Sequence, residues 1–181
     1  MFFLILPKMK TGMTRRIDEL GRIVIPKEIR RSLRLSVGEE MEICVDNDVL
    51  FLKRFSPLSE RKRVAKNLSR TLKTALDAQI VVTDLEKVVA AETFLDLDGR
   101  PLSDDCKEIL FKRETLSMEN CSTPICVGEG GDLAALMIAP VLSSGDLLGG
   151  LVAFKEKGGF DVKDMDLLKV SAELLASEFA F

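Results

Sequence analysis

Between Thr14 and Arg34 the chain sets seven cations, Arg15, Arg16, Arg22, Lys27, Arg30, Arg31 and Arg34, against only Asp18, Glu19 and Glu28. A guanidinium group is always charged, binds phosphate through two parallel N–H bonds, and reads the O6/N7 edge of guanine. The chemistry such a cluster can perform is therefore anion recognition. Other chemistries are poorly served. There is no histidine in the chain, which removes Ser-His-Asp and Cys-His catalysis and the commonest metal ligand. Cys44, Cys106, Cys121 and Cys126 show neither a CxxC pair nor the spacing of a disulfide framework, so they read as reduced cytosolic thiols. No pair of residues makes a nucleophile–base constellation, and no catalytic residue, cofactor or metal site is assigned.

Several elements must position these arginines. Ile17 and the run Ile23-Val24-Ile25 read as two short β-branched strands around a turn at Glu19-Leu20-Gly21, where glycine permits positive φ. Ile25 precedes a proline and stays extended. Pro26 suits the first position of a helix, which runs from Lys27 to Leu33 with Ile29 and Leu33 on one face. Beyond a turn at Ser36-Val37-Gly38, Met41, Ile43 and Val45 alternate with charged or small residues as a half-buried strand. Asp46-Asn47-Asp48 turns the chain, and Val49 to Phe55 returns as a hairpin partner. A module of roughly 45 residues buries little core alone, so it calls for oligomerisation or another staple.

The phrase Asp18-Glu19-Leu20-Gly21-Arg22-Ile23-Val24-Ile25-Pro26, followed by Glu28-Ile29-Arg30-Arg31, resembles the DNA-binding arm of the AbrB-type bacterial transition-state regulators. The resemblance implies a swapped-hairpin barrel shared between two chains. It implies DNA contacts at Arg15, Arg16, Arg22, Arg30 and Arg31, with Lys10 and Lys27 as weaker candidates for the DNA backbone. It also implies a homodimer or homotetramer that binds double-stranded DNA in the cytoplasm, associated with the nucleoid, and regulates transcription of sporulation or transition-state genes. A flexible turn at Leu20-Gly21-Arg22 would make recognition depend on DNA shape as well as sequence.

Charge distribution agrees with a polyanion-binding end. The net charge is −3, yet Lys8 to Arg34 holds nine Lys/Arg and three Asp/Glu, so that segment carries +6 and the rest −9. Apolar content of 46 % and charged content of 30 % are those of a globular protein, and no apolar run approaches the ~20 residues of a membrane helix. The opening MFFLILPK has neither a preceding positive segment nor a cleavage site, so it does not read as a signal peptide. We expect residues 1–8 to be an extension from an upstream start codon, with the natural chain beginning at Met9.

The expected organisation is a DNA-binding domain over residues 9–55, a connecting or dimerising helix over 56–78, and a second domain over 79–181. Ser56-Pro57 starts the helix, and Val64, Leu68, Leu72, Ala75 and Leu76 give it an amphipathic stripe from Leu58 to Ala78. Arg61, Lys62, Arg63 and Lys66 read as its solvated face. No Gly/Ser linker intervenes, so the two modules are expected to be mechanically connected. Gln79–Thr83 and Val88–Ala91 form a hairpin, Ser103 caps a helix to about Arg113, and 117–132 has no assigned form. Leu133–Leu142 and Leu147–Lys155 are two strands. Asp161 caps a closing helix with Leu167, Leu168, Leu174, Leu175 and Phe179 as its buried stripe. This is an α+β arrangement. Pro140, Gly149-Gly150 and Phe160 resemble the end of a GAF domain. Such a domain either binds an unidentified small molecule or serves only dimerisation, and the sequence supports both.

Gly128-Glu129-Gly130-Gly131 lacks the Lys-Ser/Thr of a phosphate loop, and Asp96, Asp98 and Gly99 lack the remaining ligands of a calcium loop. Two other functions stand beside the regulator. One is an antitoxin-like interaction protein of the swapped-hairpin class, against which Leu58 to Phe181 reads as folded rather than as a disordered toxin-binding tail. The other is a GAF signalling module whose arm only dimerises.

Overall fold

The computed structural model describes residues 12–35, 37–128 and 131–179. Lys10, Ser36 and part of the Gly128–Gly131 run lie outside the described residues, as does the 1–8 extension. The chain divides into two compact units, Met1–Phe55 and Ser56–Phe181.

In the first unit, helix α1 spans Lys27–Ser32, β1 Met41–Asp46 and β2 Val49–Arg54. Pro26 occupies the N-cap rather than the first helical position. Its ψ of 147° is extended, and its carbonyl accepts the first helical bond from Arg30 N at 3.0 Å. The β1–β2 hairpin closes through Asn47 and Asp48, both at positive φ, as a two-residue type I′ turn requires. Residues 12–25 form no strand pairing within the chain. Ile17, Ile23 and Val24 are all exposed, and so are Ile43 and Val45, although their alternation predicts a half-buried face. No described residue of this unit is buried. Among the described residues of this unit the sheet consists of β1 and β2, and the two strands expected before α1 are not formed.

The second unit is built on a five-stranded antiparallel sheet of order β4-β3-β7-β6-β5. Its strands are β3 Gln79–Thr83, β4 Val88–Glu92, β5 Leu116–Cys121, β6 Leu133–Ser143 and β7 Asp146–Lys155. Alternation divides its residues between two cores. Ile80, Val82, Met137, Ala139, Leu151 and Ala153 meet Leu58, Ala65, Leu72, Leu168 and Leu175 from α2 (Pro57–Glu60), α3 (Lys62–Leu76) and α5 (Val162–Ser177). On the other face Val81, Leu136, Ile138 and Val152 meet Leu102, Cys106, Leu110 and Cys126, with α4 (Asp104–Phe111) covering them. Ser103 and Asp161 cap α4 and α5 through their side chains, the latter in a reciprocal capping box with Asp164. Two glycines of β7 sit where no side chain fits. A Cβ on Gly149 would fall 1.9 Å from the Thr83 carbonyl oxygen, and one on Gly150 would fall 2.4 Å from Leu110 Cδ2.

Two expectations change here. The helix from Leu58 to Ala78 is not continuous. Arg61 leaves the helical region at φ −102°, ψ 37°, ending α2 one residue before α3 begins. The break joins two anchorages, since α2 buries Leu58 and bonds through Ser56 and Ser59 to Asp84, while α3 buries Ala65, Leu72 and Leu76. On α5 the buried side is Leu168, Ser171, Ala172 and Leu175, whereas Leu167 and Leu174 point outward. That helix is apolar over most of its circumference, so periodicity alone cannot choose its inner face. The region without assigned form contains β5, an edge strand whose polar Ser117, Glu119 and Asn120 alternate imperfectly with Met118.

Candidate nucleic-acid interface

The candidate interface is built from two local structures of the first unit. The first is the turn after Ile17. Asp18 organises it with a single carboxylate: Oδ1 accepts from Leu20 N at 3.0 Å and from Arg22 N at 2.8 Å, and Oδ2 pairs with Arg22 Nε at 2.7 Å. The backbone N–H of Arg22, and then its guanidinium, hold the Asp18 carboxyl below its ordinary range. Gly21 N closes the turn on the Asp18 carbonyl with φ at +76°. The turn expected to flex is thus pinned at three points by one side chain, and Arg22 is oriented from within it. Arg15 and Arg16 precede the turn on an exposed segment outside any helix or strand, where Arg15 Nη1 donates to the Thr14 carbonyl.

The second structure is α1 with the residues that end it. Lys27, Arg30, Arg31 and Arg34 line one open cleft of about 370 Å³ together with Leu35. Lys27 stands three and four residues before Arg30 and Arg31, so these cations share a face and repel by about 0.2–0.5 kcal/mol per pair in an exposed helix. A bound polyanion relieves that repulsion. The helix ends in a Schellman arrangement: Leu35 N donates to the Arg30 carbonyl at 2.8 Å and Arg34 N to the Arg31 carbonyl at 3.1 Å. Arg34 occupies the position where glycine is usual, at φ +53°, which costs a non-glycine residue roughly 1–2 kcal/mol. Arg54 Nη2 then donates to the carbonyls of Leu33 at 2.7 Å and Arg34 at 2.9 Å, and its Nε is ion-paired with Glu39.

Of the residues singled out from sequence, Arg30, Arg31 and Lys27 come together in this cleft, Arg22 sits in the Asp18 turn, and Arg15 and Arg16 lie on the irregular segment before it, outside the cleft. All six are exposed. Arg34 and Arg54 are additions. Arg34 is visible in the sequence as part of the three- and four-residue spacing from Lys27. No sequence signal connects Arg54 to a helix end twenty residues away.

In the second unit, the residues that loosely suggest a calcium loop are otherwise engaged. Asp98 accepts from Ala91 N at 2.8 Å through Oδ1 and pairs with Lys62 Nζ at 2.9 Å through Oδ2. Among the described residues no group of three or more Cys, Asp or Glu is arranged to hold a metal.

Comparison with known proteins places this geometry in a lineage. Residues 60–179 match the family described as "Stage V sporulation protein T C-terminal, transcription factor", and residues 14–56 match "Antidote-toxin recognition MazE, bacterial antitoxin". Stage V sporulation protein T of Bacillus subtilis (strain 168) is 31% identical over 172 residues, covering 93% of this chain and 97% of that one. The transition state regulatory protein AbrB of the same organism is 47% identical over 47 residues, 26% of this chain and 49% of its own. The GAF domain of an Acinetobacter phosphoenolpyruvate-protein phosphotransferase superposes with a TM-score of 0.55 at 15% identity, covering 64% of this chain and 80% of that one. That last likeness gives the fold of the second unit as GAF-like. An AbrB/MazE-type arm is thus joined to a GAF-like domain, and the chain belongs to the stage V sporulation protein T family of transcription regulators.

Proposed function

We propose that the protein is a DNA-binding regulator of transcription whose contacts to double-stranded DNA are Arg15, Arg16, Arg22, Arg30 and Arg31, with Lys10 and Lys27 toward the backbone. The observation that carries this reading is the concentration of exposed cations on the first unit of an otherwise acidic chain, with four of them lining one cleft. Phosphate contacts of this type fix register and orientation, while guanine edges supply preference. Control of sporulation or transition-state genes follows from the relatives' names, Stage V sporulation protein T and AbrB. The cytoplasm, on the nucleoid, is where such a protein would work; no described helix is long and apolar enough to cross a membrane.

The same reading requires a second copy. A first unit without one buried residue among those described is completed when two chains interlock their hairpins into a shared barrel. Leu167, Val170 and Leu174 lie three and four residues apart on the outer face of α5, all exposed, and give the second unit a surface for further assembly to a tetramer. The second unit acts as a sensory or oligomerisation domain and not as an enzyme, consistent with relatives that regulate transcription and with a chain lacking histidine.

Mobility shifts on genomic fragments across a salt series test the reading. A retarded complex whose log affinity falls steeply and linearly with log salt is the expected result. No complex at about 50 mM salt, with the protein folded, would contradict it.

A further inference from the structure

Residues 56–181 hold 15 Lys/Arg against 21 Asp/Glu, yet six of those cations, Arg61, Lys62, Arg63, Lys66, Arg70 and Lys73, fall within 61–76, a run without a single acid. This run builds α3, and it is charged against the helix's own stability. Lys62 and Arg63 stand in the first turn with no acid beside them, where the helix dipole disfavours cations, and Arg61 gives the N-terminus no side-chain cap. Lys62 and Lys66, and then Lys66 and Arg70, are four residues apart, a spacing at which like charges repel. Three of the six cations are engaged within the unit: Arg61 pairs with Glu178 at 3.3 Å, Lys62 with Asp98 at 2.9 Å and Arg70 with Glu92 at 3.6 Å. Arg63, Lys66 and Lys73 have no carboxylate partner among the described residues. Spacings of three and seven put them on one side of α3, away from buried Ala65, Ser69, Leu72 and Leu76. Arg63 and Lys66 are exposed and Lys73 is half-buried. At about 1.5 Å of rise per residue the three spread over about 15 Å, a length along which duplex DNA presents several phosphates.

We propose that this side of α3 is a second DNA-contacting surface, on which Arg63, Lys66 and Lys73 seat phosphates of the duplex backbone. Phosphates there supply what the helix sequence leaves out, negative charge at the first turn and relief of the repulsion along the stripe. The stripe is not a by-product of bulk charge, because the unit that carries it is acidic. It also lacks the apolar centre of a protein–protein interface: Asn67 and Thr74, its exposed neighbours, are polar. The proposal rests on the DNA-binding reading of the first unit and extends it to the second. Contacts of this kind add affinity common to all sequences and do not choose among them.

The test uses the full chain and a stripe variant that combines Arg63→Gln, Lys66→Gln and Lys73→Gln. A control variant combines Lys112→Gln, Lys157→Gln and Lys163→Gln, three exposed positions elsewhere on the same unit, and removes the same charge. Arg31→Ala serves as the reference for the arm. Fluorescence anisotropy on several unrelated duplexes is followed from about 50 to 200 mM salt, with melting temperature and sedimenting mass measured in parallel. The stripe variant should melt no lower than the parent, keep its mass, and bind every duplex more weakly by a similar factor. Its slope of log affinity against log salt should flatten by about 0.9 for each phosphate released, so by up to about 2.7 for each chain whose α3 meets DNA. The control variant should keep the parental slope. If the stripe variant keeps that slope while Arg31→Ala flattens it, α3 does not touch DNA and the proposal is wrong. If neither moves the slope, the DNA-binding reading fails and the stripe with it. Equal flattening in the control variant would reduce the effect to net charge and overturn the proposal. A lower melting temperature or a changed mass in the stripe variant would do the same, since these cations would then serve the fold or a protein contact.

Discussion

Ser56 Oγ lies 2.9 Å from Asp84 Oδ2, and Ser59 Oγ lies 3.0 Å from the same oxygen. The other carboxylate oxygen accepts Glu86 N and Lys87 N, each at 2.8 Å, and so closes the β3–β4 turn. One buried carboxylate therefore ties the first residue of the second unit to a hairpin 28 positions later. Removing it leaves two hydroxyls and two amides without their acceptor. Asp84→Ala should destabilise the second unit by about 1–3 kcal/mol. Asp84→Asn, which keeps one acceptor oxygen, should cost less. Thermal melts of the two variants check the order, and an Ala variant as stable as the parent would show that the tether is dispensable.

Gly149→Ala should be more damaging than its small size suggests. The new methyl would meet a backbone oxygen at 1.9 Å, and neither partner can rotate away. Overpacking of this kind costs about 1–3 kcal/mol, more where the backbone cannot yield. The expected readout is a fall in melting temperature of the second unit, with the first unit's residues untouched.

The Asp18 turn makes a signed prediction about pH. The Arg22 amide and guanidinium lower the carboxyl's folded-state value from 3.8. The turn's stabilisation is therefore complete above that value and is lost only as the pH falls through a still lower one. The amide resonances of Leu20 and Arg22 should titrate together with a midpoint below 3.8. A midpoint at or above it would mean that the carboxylate does not hold Arg22 in solution.

Cysteine reactivity should divide by location. Burial, and then the neighbouring Cys126, push the Cys106 thiol up to about 12, so almost no thiolate exists near neutrality. Alkylation of the folded protein in mildly alkaline buffer followed by mass spectrometry should label half-buried Cys44 and Cys121 and leave Cys106 and Cys126 unmodified until the protein unfolds.

Replacing the outer residues of α5 separates two levels of assembly. If the outer face of α5 joins dimers into a tetramer, Val170→Asp with Leu174→Asp should lower the sedimenting mass to that of a dimer while each chain stays folded, because neither side chain enters the core. Persistence of the parent mass would move the contact elsewhere.

Much of the fold is legible in the sequence where the cause is local. The Asp18–Gly21 turn, the Asn47-Asp48 hairpin turn, the Ser103 and Asp161 caps and the alternation of β6 and β7 all arise from neighbouring residues. What escapes depends on distant partners. The break at Arg61 coincides with a tether to Asp84, and the left-handed Arg34 is held by Arg54 from another strand. The alternation of Ile43 and Val45 predicts an inward face, yet both residues are exposed in the single chain.

The most direct test of the account is the salt dependence of DNA affinity for the full chain carrying Arg15→Ala, Arg16→Ala and Arg31→Ala together. A folded protein of parental melting temperature is expected, since all three side chains are exposed. Its affinity should be lower, and its log–log salt slope flatter by about one unit for each phosphate no longer neutralised. Parental affinity and slope in that folded variant would contradict the assignment of the arm as the DNA-binding surface.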